Sequence, residues 1–198
     1  MGKAKRTGKQ PELTVLTPLF EPLAALQRLL NQFDNQGVII GGIAASLLGQ
    51  PRFTADLDAV ILLSTDDLPK LIEMATREGM VKRIADAEAF ARKNRVLLLK
   101  HETSGIKIDI SLGMLPFEAE MIERGQEISI GNLQLRLPTP EDLIIMKAVA
   151  HRPKDLADIQ AIAASHPKLD KARIRFWIEQ FGEALDLPGL WNMISELL

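Results

Sequence analysis

Asp56 and Asp58 flank Leu57 immediately ahead of the apolar run Ala59-Val60-Ile61-Leu62-Leu63. On a strand, side chains alternate, so residues two apart share a face about 6.5–7 Å apart. The two acids therefore point one way and Leu57 the other. Magnesium and similar hard cations take oxygen ligands from one or two carboxylates together with substrate phosphates. Just upstream, Val38-Ile39-Ile40 runs into Gly41-Gly42, and Ile43 to Leu48 reads as a short helix. A strand that ends in glycines and opens a helix lets backbone N–H groups approach an anion closely. Taken singly, two glycines at a strand end are more often a tight turn, and an Asp-X-Asp pair more often a solvated strand edge. Asp109 changes that balance, because Ile106-Lys107-Ile108-Asp109-Ile110 repeats the alternation of apolar and polar residues. If the two strands are neighbours, three carboxylates converge. They repel one another unless a cation neutralises them, which points to bound Mg2+ or Mn2+.

A further cluster lies in Lys147-Ala148-Val149-Ala150-His151-Arg152-Pro153-Lys154-Asp155-Leu156-Ala157-Asp158. Pro153 suits the first turn of a helix, so Lys147 belongs to one helix and Lys154, Asp155 and Asp158 to the next. Surface ion pairing accounts for this spacing, with Lys154 and Asp158 four apart and Asp155 capping the helix start. The functional alternative has Lys147, Arg152 or Lys154 facing a triphosphate and Asp158 orienting one of them or a substrate hydroxyl. His101, His151 and His166 lack metal-site spacing; only His151, by its neighbours, is a site candidate. There is no Gly-x-x-x-x-Gly-Lys-Ser/Thr loop and no Gly-x-Ser-x-Gly turn, which argues against P-loop ATPases and serine hydrolases.

The elements that must carry these residues follow from periodicity. Pro18–Phe33 is helical, Val38–Ile40 and Asp56–Leu63 are strands, and Thr65-Asp66-Asp67 caps a helix to Arg77. A helix over Ala85–Asn94 precedes strands at Val96–Leu99 and Ile106–Ile110. Gly131-Asn132 between Ile128–Ile130 and Leu133–Leu137 is a hairpin signal. Helices are expected over Pro140–Ala150, Pro153–Ala164, Leu169–Phe181 and Leu190–Leu197. The fold class is thus α+β (mixed α/β). A core over residues 15–137, a small sheet flanked by helices, precedes a C-terminal helical subdomain over 138–198, with a cleft between them.

The 198 residues, 46% hydrophobic and 25% charged, are enough for one buried core. A net charge of −2 excludes a global field for nucleic acid, so any such contact needs a local basic patch. Without cysteine there are neither disulfides nor thiolate ligands. The tail over residues 1–14 carries Lys3, Lys5, Arg6 and Lys9 and is expected to be disordered, an RNA-touching arm being the alternative. No apolar run suits a signal peptide or a membrane span, so the expected setting is the cytoplasm.

Ile40-Gly41-Gly42, the spacer from Ile43 to Ala55, Asp56-Leu57-Asp58 and the later Asp109 together resemble the nucleotidyltransferase superfamily that includes DNA polymerase beta. Arg52-x-Thr54-x-Asp56-Leu57-Asp58, with the downstream Lys147…Arg152-x-Lys154-Asp155-x-x-Asp158, is most similar to its AbiEii-type branch, which contains toxins of toxin–antitoxin pairs. The resemblance implies metal-assisted transfer of a nucleoside monophosphate from an NTP to an acceptor hydroxyl. It implies Asp56, Asp58 and Asp109 as metal ligands and Lys147 and Asp158 as further catalytic residues. The nucleotide would be bound by Gly41, Gly42, Arg52, Thr54, Lys147, Arg152 and Lys154. Gly42 stands where the superfamily commonly has serine. The acceptor could be an RNA or tRNA 3′ end or a protein, and an antitoxin protein is an implied partner. Two alternatives share the fold: a catalytically inactive binding module acting through a protein partner, and a transferase for small molecules such as aminoglycosides.

Overall fold

The computed structural model describes residues 17–198; the basic segment over 1–14 lies outside the described residues. Helix α1 (Phe20–Asn31) leads into β1 (Gly37–Ile40), α2 (Gly41–Leu48) and β2 (Asp56–Leu62). Then come α3 (Leu68–Arg77), β3 (Met80–Lys82), α4 (Ala87–Asn94), β4 (Val96–His101) and β5 (Lys107–Gly113). Helix α5 (Pro116–Glu123) and the hairpin β6 (Gln126–Ile130) and β7 (Leu133–Leu137) follow. The chain closes with α6 (Pro140–Ala150), α7 (Pro153–Ser165), α8 (Lys171–Ala184) and α9 (Leu190–Ser195).

Strands β1 to β5 form one mixed sheet in the order β1-β2-β5-β4-β3, parallel only between β2 and β5. Alternation decides which face is which. Leu57, Ala59 and Ile61 of β2, Ile108 and Ile110 of β5, and Leu97 and Leu99 of β4 are all buried. They join one continuous core with Leu23, Leu26 and Leu30 of α1 and Leu68 and Leu71 of α3. The opposite face carries the acids.

Two elements escaped the sequence reading. Strand β3 is three residues long and exists because Met80–Lys82 pairs with Leu99–His101, a partnership that periodicity cannot register. Helix α5, which the sequence reading does not include, buries Phe117, Met121 and Ile122. Its acids are also engaged: Glu118 Oε2 accepts from the Met114 and Leu115 amides at 2.7 and 2.9 Å, and Glu120 meets Arg173 Nη1 at 2.7 Å. No helix among the described residues is long and apolar enough to cross a membrane.

Candidate active site

The register of the sheet builds the site. Ile40 lies opposite Asp58, Asp58 opposite Asp109, and Asp109 opposite Leu98, giving one row across four strands. Neighbouring strands are about 4.8 Å apart, so Asp58 and Asp109 are brought side by side, and the neighbouring of β2 and β5 on which the sequence reading depended is present. The Arg83 amide donates to the Leu98 carbonyl at 3.0 Å and extends the row to the sheet edge.

Each carboxylate meets its charge differently. Asp56, exposed at the strand start, lies against the Thr54 hydroxyl, whose Oγ1 is 3.1 Å from Oδ1 and 3.2 Å from the Asp56 carbonyl. Asp109 is held by Arg83, with Nη1 2.9 Å from Oδ1 and Nη2 3.3 Å from Oδ2. Asp58 has no hydrogen-bond or ion-pair partner among the described residues. Burial first, then the charges of Asp56 and Asp109, push its carboxyl from the usual 3.8 up to about 6, against the opposing pull of Lys154 and Arg152. The three acids are therefore adjacent without forming a closed cage: among the described residues, no three acidic or histidine side chains are gathered so as to hold a metal ion. Repulsion and the capture of Asp109 by Arg83 account for this.

The glycines are required by the site's own side chains. Gly41 has φ +65°, and a Cβ on it would stand 2.0 Å from Asp58 Oδ2. At Gly42 a Cβ would lie 2.5 Å from Thr54 Oγ1. A serine there would therefore collide with a hydroxyl already in that space, which is the physical reason this chain departs from Gly-Ser. Ser46 plays a different part, since its Oγ donates to the Gly42 carbonyl at 2.9 Å and lies 3.1 Å from the Arg52 carbonyl, tying the turn to the loop. Gly42→Ser is expected to lower the free energy of unfolding by about 1–3 kcal/mol, the usual cost of overpacking, and Thr54→Ala to relieve part of it, because the Thr54 Cβ at 2.9 Å remains. Urea unfolding of the single and double variants tests this; a neutral Gly42→Ser excludes the clash.

Helices α6 and α7 form the facing wall. Thr139 caps α6, accepting from the Asp142 amide at 3.2 Å. His151 ends it in the left-handed region at φ +52°, and Pro153 restarts the chain as α7. That turn folds Asp155 and Asp158 back onto Lys147. The Lys147 ammonium, on a residue only 5% exposed, lies 3.2 Å from Asp155 Oδ1 and 2.7 Å from Asp158 Oδ2. Arg152 Nε donates to Asp155 Oδ2 at 2.6 Å. Arg52, from the loop before β2, grips Asp158 with two bonds, Nε–Oδ1 at 2.7 Å and Nη2–Oδ2 at 2.8 Å. Burial alone raises both carboxyls, but Arg152 and Lys147 at Asp155, and Arg52 and Lys147 at Asp158, hold them below the usual carboxylate range. Lys147 is thus engaged inside the wall, and Asp158 is its positioning partner. Lys154 makes no ion pair among the described residues, so the anticipated Lys154–Asp158 pair is replaced by Lys147 and Arg52.

Between sheet and wall is a cavity of about 560 Å³. Gly41, Gly42, Arg52, Thr54, Asp56, Asp58, Asp109, Lys147, Arg152 and Lys154 all line it. Of the anticipated site residues, Asp158, behind Lys147, and the candidate His151 lie outside that lining. Leu143, Met146, Ala150 and Phe53 give it an apolar side, with Phe53 77% exposed. His151 is a helix cap rather than a lining residue. His166 accepts its expected structural role, its Nε2 lying 2.8 Å from the Leu48 carbonyl, and His101 is buried beside Ser104. The reading of the sequence missed Arg83, whose only signal was a basic residue closing a segment too short to recognise as a strand.

This arrangement was compared with known proteins. The profile of the family described as "Nucleotidyl transferase AbiEii toxin, Type IV TA system" matches residues 24–197. The chain belongs to the AbiEii nucleotidyltransferase toxin family. Two solved structures share the family member's fold. An antigenic nucleotidyltransferase-like protein from Paracoccidioides brasiliensis is 14% identical, with a TM-score of 0.55 over 89% of this chain and 93% of that one. The antibiotic-resistance factor ANT(2'')-Ia is 15% identical, with a TM-score of 0.56 over 88% and 95%. No curated protein sequence matches this AbiEii-type chain.

Proposed function

We propose that the chain transfers a nucleoside monophosphate from an NTP to an acceptor hydroxyl, with one Mg2+ (or Mn2+) held by Asp56 and Asp58 and a second whose site Asp109 completes. The observation that carries this reading is the row that sets a partnerless Asp58 beside Asp109. The donors fit such a cation. Asp58 is ionised only against burial and two neighbouring charges, and Asp109 Oδ1 is buried without a hydrogen-bond partner. A cation bound there would polarise the α-phosphate and offset the charge that develops on it.

The chain's own groups do the rest. Gly41 and the start of α2 leave backbone room beside Asp58 for phosphate. Lys154 and Arg152 face the carboxylates from the wall and offset the triphosphate charge, while Lys147, Asp155 and Asp158 keep that wall in place. Asp109 Oδ1 accepts a hydrogen bond from the acceptor hydroxyl. As that hydroxyl's oxygen forms the new bond to the α-phosphorus, its proton passes to Asp109, the bond to the β-phosphate oxygen breaks, and pyrophosphate leaves. The apolar side, with Phe53, Leu143 and Met146, suits the base.

The acceptor is an RNA or tRNA 3′ end, or a protein hydroxyl. The rim cations Arg152 and Lys154 favour an anionic acceptor over a cationic aminoglycoside. Family membership supports an antitoxin protein as partner. The test is to incubate the protein with each α-labelled NTP and Mg2+ together with total RNA or a panel of proteins. Label transfer abolished by Asp58→Ala is expected. Binding of Mg-NTP by calorimetry without transfer to any acceptor would instead mark a binding module, and neither binding nor transfer would sink the proposal.

A further inference from the structure

Arg83 stands just beyond β3, at the end of the row that runs Ile40, Asp58, Asp109, Leu98. Its guanidinium covers both oxygens of Asp109, Nη1 at 2.9 Å from Oδ1 and Nη2 at 3.3 Å from Oδ2. The first of these contacts is ionic but lies off the hydrogen-bonding direction. Oδ1 is buried and left without a hydrogen-bond partner. A guanidinium that makes two good bonds to a carboxylate satisfies both oxygens; this one leaves Oδ1 without a hydrogen bond, on the residue that pairs with Asp58 across the sheet.

We propose that Arg83 is the resident counter-ion of Asp109 and exchanges with the second divalent cation, which must displace it to bind there. The inference rests on the metal-dependent reading of the site and deepens it. A divalent cation ligated by Asp109 Oδ1 sits about 2.1 Å from it, on the oxygen that Arg83 Nη1 already approaches to 2.9 Å, so the two positive charges compete for it. Arginine cannot release its proton, so relief comes only by movement. Arg83 is placed to move: its side chain is 24% exposed, and it lies in the turn between β3 and α4 rather than within either. Asp56 and Asp58 have no such cation, so the first ion meets no competitor while the second does. The sheet thereby orders the two binding events, and the second is held back until the site contains enough ligand oxygen, from carboxylates and substrate phosphate, to outbid Arg83.

The test is Mn2+ titration of the full chain without nucleotide, read by electron paramagnetic resonance. The wild type is expected to bind one ion readily and a second weakly. Arg83→Gln should tighten the second site at least tenfold, and Asp109→Asn should remove it. Arg83→Lys, which keeps the charge but loses the fork, should fall between wild type and Arg83→Gln, and it keeps the comparison open should the glutamine variant fold poorly. A second-site affinity that Arg83→Gln leaves within twofold, or weakens, overturns the exchange while leaving the metal reading intact. If Asp58→Asn does not alter Mn2+ binding at all, the metal reading itself fails and the exchange with it.

Discussion

Asp58→Asn is expected to reduce nucleotidyl transfer about a thousandfold or more, roughly 4 kcal/mol of transition-state stabilisation, while making the metal-free protein more stable at pH 8. The two effects have one cause. Asp58 is held where its negative charge is useful to a bound cation and costly without one. Its folded carboxyl titrates near 6, against 3.8 in the unfolded chain. Below about pH 4 both states carry the proton and the charge costs nothing. As pH rises from 4 through 6 the unfolded chain gives up its proton first, so wild-type stability falls across that window and stays lower above it. One pKa unit corresponds to about 1.4 kcal/mol, and for a partly solvated group the penalty is on the order of 2 kcal/mol. Asparagine does not titrate, so the variant lacks the fall. Mg2+ should stabilise the wild type and leave the variant unmoved. Urea unfolding at pH 4 and pH 8, with and without Mg2+, checks all of this. The account fails if the variant keeps a tenth of the activity, or is the less stable protein at pH 8 without metal.

The second large effect is expected at Lys147. Its ammonium joins two buried carboxylates, each of which also holds an arginine: Arg152 on Asp155 and Arg52 on Asp158. Lys147→Met keeps the length of the side chain and removes the charge. Losing one partner from a buried ionic cluster typically costs 3–5 kcal/mol, and because both arginines remain, the expected loss is about 3 kcal/mol. The same network predicts non-additivity. Once Lys147 is methionine, Asp158→Asn should cost less than it does alone, with a coupling of about 1 kcal/mol or more. Unfolding free energies of the two singles and the double close the cycle. A loss under about 1 kcal/mol for Lys147→Met, or simple additivity, shows that the network does not hold the wall.

What could be read in advance divides along the range of the interactions. Alternation in Asp56–Leu57–Asp58 and in Ile106–Ile110 depends on neighbours in sequence, and it correctly placed three acids on one face. The helices from Pro140 onward announced themselves through Thr139-Pro140 and Pro153, which act within a single turn. The clamp of Arg52 on Asp158 and the capture of Asp109 by Arg83 depend on which strands and helices become neighbours, and no local pattern encodes that. For the same reason the sequence could not show that Lys147, which lines the cavity, is also paired with Asp155 and Asp158. Gly42 illustrates the converse: its departure from serine looked like a defect and is explained by Thr54, twelve positions on, filling the space.

The order of strands has a consequence for when the chain becomes an enzyme. Gly41, Asp56 and Asp58 lie on β1, α2 and β2, an antiparallel pair with a short connection, and such contacts are quick to form. Asp109 joins them only when β5 docks parallel to β2, after the whole of α3, β3, α4 and β4 has been looped out, a closure that carries a larger entropic cost. The wall arrives from further still, when Asp158 of α7 finds Arg52. Catalytic competence is therefore tied to long-range contacts, the clamp of Arg52 on Asp158 closing 106 positions of chain. A half-folded copy carries the acidic pair and the glycine turn but has nothing with which to use them.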